Sequence, residues 1–264
     1  MRQADASASI KIGIKAFRCK IGRMVENVKI VLFKDMNKMG LSKPKFIVGF
    51  PTIGLVGSIS LAYLTSTMDF EFVGTIKSSR FAPVVAIHDH KPIPPLRIMV
   101  SSKSNLVAIV SEMSIPMTMS QSVADAILSL FKEMDGEMIV VLGGISLGEK
   151  KDGIYYIPST DQAKALCETK KVGESIKEGA TTGVTALLIM ETAMKRINAV
   201  TLLAEANPDI SDPRASSNIL KSLSRLIDLP IKTAELDREA KEISEQVKET
   251  ELKSAPFRGG DMYR

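Results

Sequence analysis

The sequence predicts an α/β protein, a three-layer-type sandwich in which helices cover a mixed β-sheet, with a C-terminal helix and a flexible tail. Three observations carry this expectation. The continuous apolar runs Phe46-Ile-Val-Gly-Phe50 and Met138-Ile-Val-Val-Leu142 suit strands covered on both faces. Segments of helical periodicity separate such runs, the pattern of strands alternating with helices. Between residues 70 and 111, strand-like runs follow one another with no helix between them, so part of the sheet is expected to be antiparallel.

The chain opens with a basic extension, residues 1–23. There Arg2, Lys11, Lys15, Arg18, Lys20 and Arg23 stand against Asp5 alone and account for the whole formal charge of +5. A basic arm is one way to bind nucleic acid. This one reads instead as disordered or outside the native fold, with Met24 as the expected start. The α/β core domain is expected over 24–230. Its strand-like runs lie at 28–33, 45–50, 70–76, 83–88, 96–101, 105–111, 137–142 and 198–204. Helices are expected at 55–66, 119–134, 180–196 and 214–227. In the second of these, Val123, Ile127, Leu130 and Met134 recur at steps of three and four, a core-facing stripe. Asp212 is a natural N-cap for the fourth, and Pro213 a natural first residue. Leu229-Pro230 ends it. A C-terminal helical unit follows at 231–252, with Thr233 as its cap and Leu236, Ala240, Ile243 and Val247 as its single apolar stripe. Pro256, Gly259 and Gly260 then release a flexible tail, residues 253–264.

Composition narrows the function classes. At 264 residues the chain can bury one large core. No apolar run reaches the roughly 18–20 residues needed to cross a bilayer, and no secretory signal is visible. Cys19 and Cys167 are far apart and have no CxxC or Cys/His spacing, which favours a reducing cytoplasm without a disulfide framework. Neither a membrane nor nucleic acid is an expected partner.

Four segments carry residue types that chemistry could use. In Gly49-Phe-Pro-Thr-Ile-Gly54-Leu-Val-Gly57, Thr52 stands where the dinucleotide fingerprint needs its first glycine, so the segment reads as a tight turn with close helix–sheet packing. In Gly143-Gly-Ile-Ser-Leu-Gly148-Glu149-Lys150, Glu149 replaces the lysine a phosphate loop requires, which leaves a glycine turn after a buried strand. His88 and His90, the two histidines of the chain, would share a strand face and could chelate a metal; an exposed polar strand end explains them as well. Glu205, Asn207 and Asp209 follow a buried strand, where α/β proteins place active-site groups. Loop-fixing and capping by the same residues is the competing reading.

The chain ends in Met262-Tyr263-Arg264: an apolar side chain, a phenol and a free carboxylate on a glycine-released tip. Such a tip suits a pocket on another protein, with the apolar groups packed and the carboxylate taken by a lysine. It resembles the hydrophobic–tyrosine–any-residue (HbYX) tail by which proteasome regulators dock between α-subunits of the proteasome core particle. The body agrees. Phe46-Ile-Val-Gly-Phe-Pro-Thr-Ile-Gly-Leu-Val-Gly57, Val140-Val-Leu-Gly-Gly144, and Ala199-Val-Thr-Leu-Leu-Ala-Glu-Ala-Asn-Pro-Asp209 followed by Asp212-Pro213-Arg214 resemble the proteasome assembly chaperone family, and more narrowly its archaeal homologues. The resemblance spans roughly residues 28–250. It implies a nucleoside phosphorylase-like sandwich without demonstrated catalysis, a homo-oligomer (tetramer or pentamer), and tails that bind the α-ring.

The expected function is therefore a cytoplasmic, non-enzymatic proteasome-binding protein, an assembly chaperone or activator. Its partner-binding residues are Met262, Tyr263 and Arg264, with no catalytic, cofactor or metal residues. The alternative is a small-molecule hydrolase or transferase with a cleft near Gly54, Gly144 and Glu205.

Overall fold

The computed structural model describes residues 24–25, 27–148 and 152–242. In chain order the strands are β1 Met24–Val25, β2 Val28–Leu32, β3 Lys45–Gly49, β4 Glu71–Lys77, β5 Ala86–His88, β6 Lys91–Ile93, β7 Leu96–Ser101, β8 Leu106–Ser111, β9 Met138–Ile145, β10 Ile154–Pro158, β11 Glu174–Ser175 and β12 Ala199–Glu205. The helices are α1 Val56–Thr67, α2 Ser120–Glu133, α3 Asp161–Lys170, α4 Gly183–Met194 and α5 Pro213–Leu226. A further helix, α6, runs from 234 to 242, where the described residues end. The stretch expected to continue it to 250, together with residues 1–23 and the tail, lies outside the described residues.

Ten strands form one mixed sheet in the order β1-β2-β4-β7-β8-β3-β9-β12-β10-β11. Its centre is parallel: β3 pairs with β8 and β9, and β9 with β12. The run from β4 through β7 to β8 is antiparallel, as the helix-free stretch predicts. Alternation along the central strands divides the core in two. Phe46, Val48, Ile109, Ile139 and Val141 face one cluster with α2 and α4. Ile47, Ala108, Val110, Val140, Leu142 and Leu202 face the other, with α1, α3 and α5. Burial on both faces is why these strands read as unbroken apolar runs. The Phe46 and Phe131 rings meet edge-on at 5.3 Å and tie α2 to the sheet. Val123, Ile127 and Leu130 are all at most 2% exposed, so the expected α2 stripe is the packed face.

Three expectations need correction. The run at 83–88 does not join the main sheet. Only 86–88 is strand, and it pairs with β6 alone in a separate hairpin. Pro83, Pro92, Pro94 and Pro95 lack the amide a sheet ladder needs, and Asp89 and His90 turn the hairpin at φ of +48° and +59°. Second, Gly143 and Gly144 form no turn: β9 continues through them, paired to Leu203 and Ala204. Third, β10 and α3 occupy 154–170, where no element was expected.

Candidate functional site

The parallel strands β8, β3, β9 and β12 all deliver their C-terminal ends to one edge of the sheet. There β3 leads into α1 on one face and β8 leads into α2 on the other, so a crevice opens where the two connections diverge. It is a cavity of about 410 Å³. Its walls are residues 50–53 after β3, Ser114, Ile115 and Met117 after β8, Gly144 of β9, and residues 180–185 leading into α4. No charged side chain lines it among the described residues. A larger groove of about 580 Å³ lies elsewhere, between the C-terminal ends of α2 and α4, and touches none of these loops.

The glycine elbow explains how the walls come so close. A Cβ on Gly49 would stand 2.3 Å from the Gly57 carbonyl oxygen, and one on Gly57 2.5 Å from the Leu142 oxygen. α1 therefore starts in backbone contact with the sheet, as the tight-turn reading expects. Gly54 holds φ +62° and its oxygen accepts the Asp212 amide at 2.9 Å. Thr52 Oγ1 accepts the Gly144 amide at 2.9 Å, which pins the elbow to β9.

The expected cleft near Gly54, Gly144 and Glu205 is divided. Gly144 lines the cavity; Gly54 and Glu205 do not. The site of a Gly54 Cβ is taken by Ala206, 2.8 Å away. Glu205 is 8% exposed and its carboxylate accepts the Leu147 amide at 3.0 and 3.2 Å and the Gly148 amide at 2.9 Å. It fixes the loop after β9. Asn207 Oδ1 accepts the Asp209 amide at 2.9 Å, a local turn. Asp212 caps α5 through the Ala215 amide at 2.9 Å and also accepts the Asn207 amide at 3.1 Å. Arg214 bridges Asp212 at 3.1 Å and also pairs with Asp152. Loop-fixing and capping thus account for the polar cluster.

The histidines are separated as well. His88 ends β5 and meets Glu112 through Nε2 at 2.9 Å, while His90 is a turn residue. The shared strand face expected of them does not form. Glu112 also receives Arg97, which is 5% exposed and donates to the Pro94 carbonyl at 3.1 Å. Burial raises the Glu112 carboxyl pKa, but hydrogen bonds and charge from Arg97 and His88 outweigh it and hold the group below the usual range. This cluster anchors the β5–β6 hairpin.

Around the cavity the loops expose apolar side chains: Ile53 (37%), Leu55 (46%), Met117 (66%), Leu147 (46%) and Ile210 (44%). Sequence reasoning missed this edge, because its members come from four separate loops. It also missed the Thr181–Thr185 wall, whose hydroxyls carry no spacing signal. Toward the C-terminus, α6 is clamped onto α5. Leu236 is 2% exposed in the core, and Asp237 accepts from Ser217, from Lys221 at 2.9 Å and from Thr233 at 3.2 Å. Met262, Tyr263 and Arg264 lie outside the described residues.

Residues 46–251 match the PAC2 family. An uncharacterised protein of Methanocaldococcus jannaschii is 26% identical over 226 residues, 86% of this chain and 92% of that one. Among solved structures, Pyrococcus furiosus PbaA, described as an archaeal homologue of proteasome-assembly chaperone, superposes with a TM-score of 0.74 at 26% identity. That match covers 84% of this chain and 96% of PbaA. Pyrococcus furiosus PbaB, described as an archaeal proteasome activator, shares the fold with a TM-score of 0.74 at 22% identity, over 85% of this chain and 99% of PbaB.

Proposed function

We propose a function from one premise: the chain belongs to the PAC2 family. It is a non-enzymatic proteasome-binding protein of the cytoplasm, an assembly chaperone or activator that acts on the α-subunits of the proteasome core. The observation that carries this reading is the similarity to PbaA over 84% of this chain and 96% of PbaA. The tail supplies the contact. Met262 fills an apolar pocket, Tyr263 packs and offers its hydroxyl, and the Arg264 carboxylate meets a lysine. The body is a homo-oligomer, a tetramer or pentamer, that presents several such tails, and its sandwich is of the nucleoside phosphorylase-like kind. The α5–α6 clamp fixes α6 on the body from which the tail would be presented.

The enzyme alternative loses its main support, since the Glu205 carboxylate is occupied by backbone amides of its own loop. The test is to mix the full chain with proteasome core particle, beside a version lacking residues 262–264, and to follow co-migration and peptide hydrolysis. Binding by the full chain that is lost on truncation, with folding and oligomer size unchanged, is the expected result. A rise in hydrolysis identifies an activator; binding without a rise identifies an assembly factor. Equal binding by the truncated chain would remove the tail from the mechanism.

A further inference from the structure

We propose that the cavity between the diverging ends of β3 and β8 binds a small monocarboxylate carried on an apolar body. The inference rests on the geometry of the cavity and not on proteasome binding.

Two independent features converge there. The first is the start of α4. Its N-cap residue, Thr182, makes no side-chain cap bond, so the amides of the first turn have no capping group. Gly183 opens the helix at φ +74°, and nothing stands within 4 Å of where its Cβ would be, which leaves the approach clear. An uncapped helix N-terminus presents N–H donors and roughly half a positive charge. The second is Thr185. It lines the same cavity and is 5% exposed, and its hydroxyl has no hydrogen-bond partner among the described residues. Thr185 stands in the first turn of α4, where no preceding turn offers a carbonyl to bond back to. The side chain is nearly buried while its hydroxyl stays open to the cavity, so it can donate to a ligand that accepts from it.

The opposite wall sets the rest of the ligand. Ile53, Ile115 and Met117 make it apolar, and Ile53 and Met117 are 37% and 66% exposed. A single helix terminus matches a single negative charge. Among the described residues no lysine or arginine lines the cavity, so they offer a phosphate dianion no counter-charge. The chemistry that fits is a carboxylate beside an apolar group. Two sources carry it: a free organic acid, or a polypeptide C-terminus such as the Met262-Tyr263-Arg264 end of this chain.

The experiment titrates the full chain with 3-phenylpropionate, followed by ligand-observed NMR, beside 3-phenylpropionamide and inorganic phosphate. Saturable binding of the acid is expected, with the amide about tenfold weaker or worse, since a charge-assisted bond is lost. Thr185→Val should weaken the acid about tenfold with unchanged unfolding temperature, and Thr185→Ser should restore it. Removing residues 262–264 separates the sources: tighter probe binding identifies the chain's own end as the occupant, and unchanged binding identifies a free acid. No saturable binding, equal binding of acid and amide, indifference to Thr185→Val, or displacement by equimolar phosphate would each overturn the proposal. None of these outcomes depends on whether the tail docks on a proteasome.

Discussion

Gly144 and Glu205 shape the same edge of the sheet in opposite ways. A Cβ on Gly144 would stand 2.0 Å from the Ile53 carbonyl oxygen, so the missing side chain is what lets the elbow after β3 lie against β9. Glu205 acts by its presence. Its two oxygens collect amides from Leu147 and Gly148, a small anion nest supplied by the protein itself. Carboxylates at strand ends look catalytic in a sequence because the same position serves active sites in many α/β folds. Only the loop returning from β9 distinguishes the two roles. Glu205→Gln should therefore cost about 2 kcal/mol of stability, the range of hydrogen bonds to a charged acceptor. Amide exchange at Leu147 and Gly148 should speed up, while the proposed proteasome binding stays intact. Unchanged exchange there together with lost binding would contradict the structural role.

At the scale of elements, legibility followed the strength of the apolar pattern. The central strands were visible because both of their faces are buried, and α2 because its stripe points one way. β10 and α3 were not. β10 is five residues long and ends in Pro158, and α3 buries only Ala163 and Cys167, too small a stripe to register. The cap at Asp212 and the stop near Leu229-Pro230 were legible because both are local. The wall formed by residues 180–185 was hidden, since only topology brings it to the loops after β3 and β8. The clamp on α6 is likewise tertiary. Burial raises the Asp237 pKa, but hydrogen bonds from Ser217, Lys221 and Thr233, with the Lys221 charge, lower it by more. A folded pKa below the unfolded value gives stability that is full above about pH 3.9 and lost as pH falls through the folded value. Residues 234–242 should hold their proteolytic protection at neutral pH and shed it only in strong acid. Asp237→Asn should remove the acid step and weaken protection throughout. A variant with the wild-type acid profile would show that Leu236 packing alone holds the helix.

At the scale of the whole molecule, the proposed tail must work through number. A three-residue contact offers one apolar side chain, one ring and one carboxylate, so a single tail is expected to bind weakly. A homo-oligomer converts later contacts into intramolecular ones whose effective concentration is set by the linker. The α5–α6 clamp matters here, because it fixes α6 on the body up to residue 242 and so leaves fewer residues between the body and the tail. The affinity of the proposed assembly for a ring of α-subunits should therefore exceed that of a synthetic peptide ending in Met-Tyr-Arg by about 10²–10⁴. Asp237→Asn, which loosens this anchor without touching the tail, should reduce that advantage while leaving the peptide's own affinity unchanged. Competition of peptide against full-length protein on immobilised core particle measures both. If peptide and assembly bind equally well, the contacts do not add, and one tail per oligomer or the exposed loops around Ile53 and Met117 must carry the interaction.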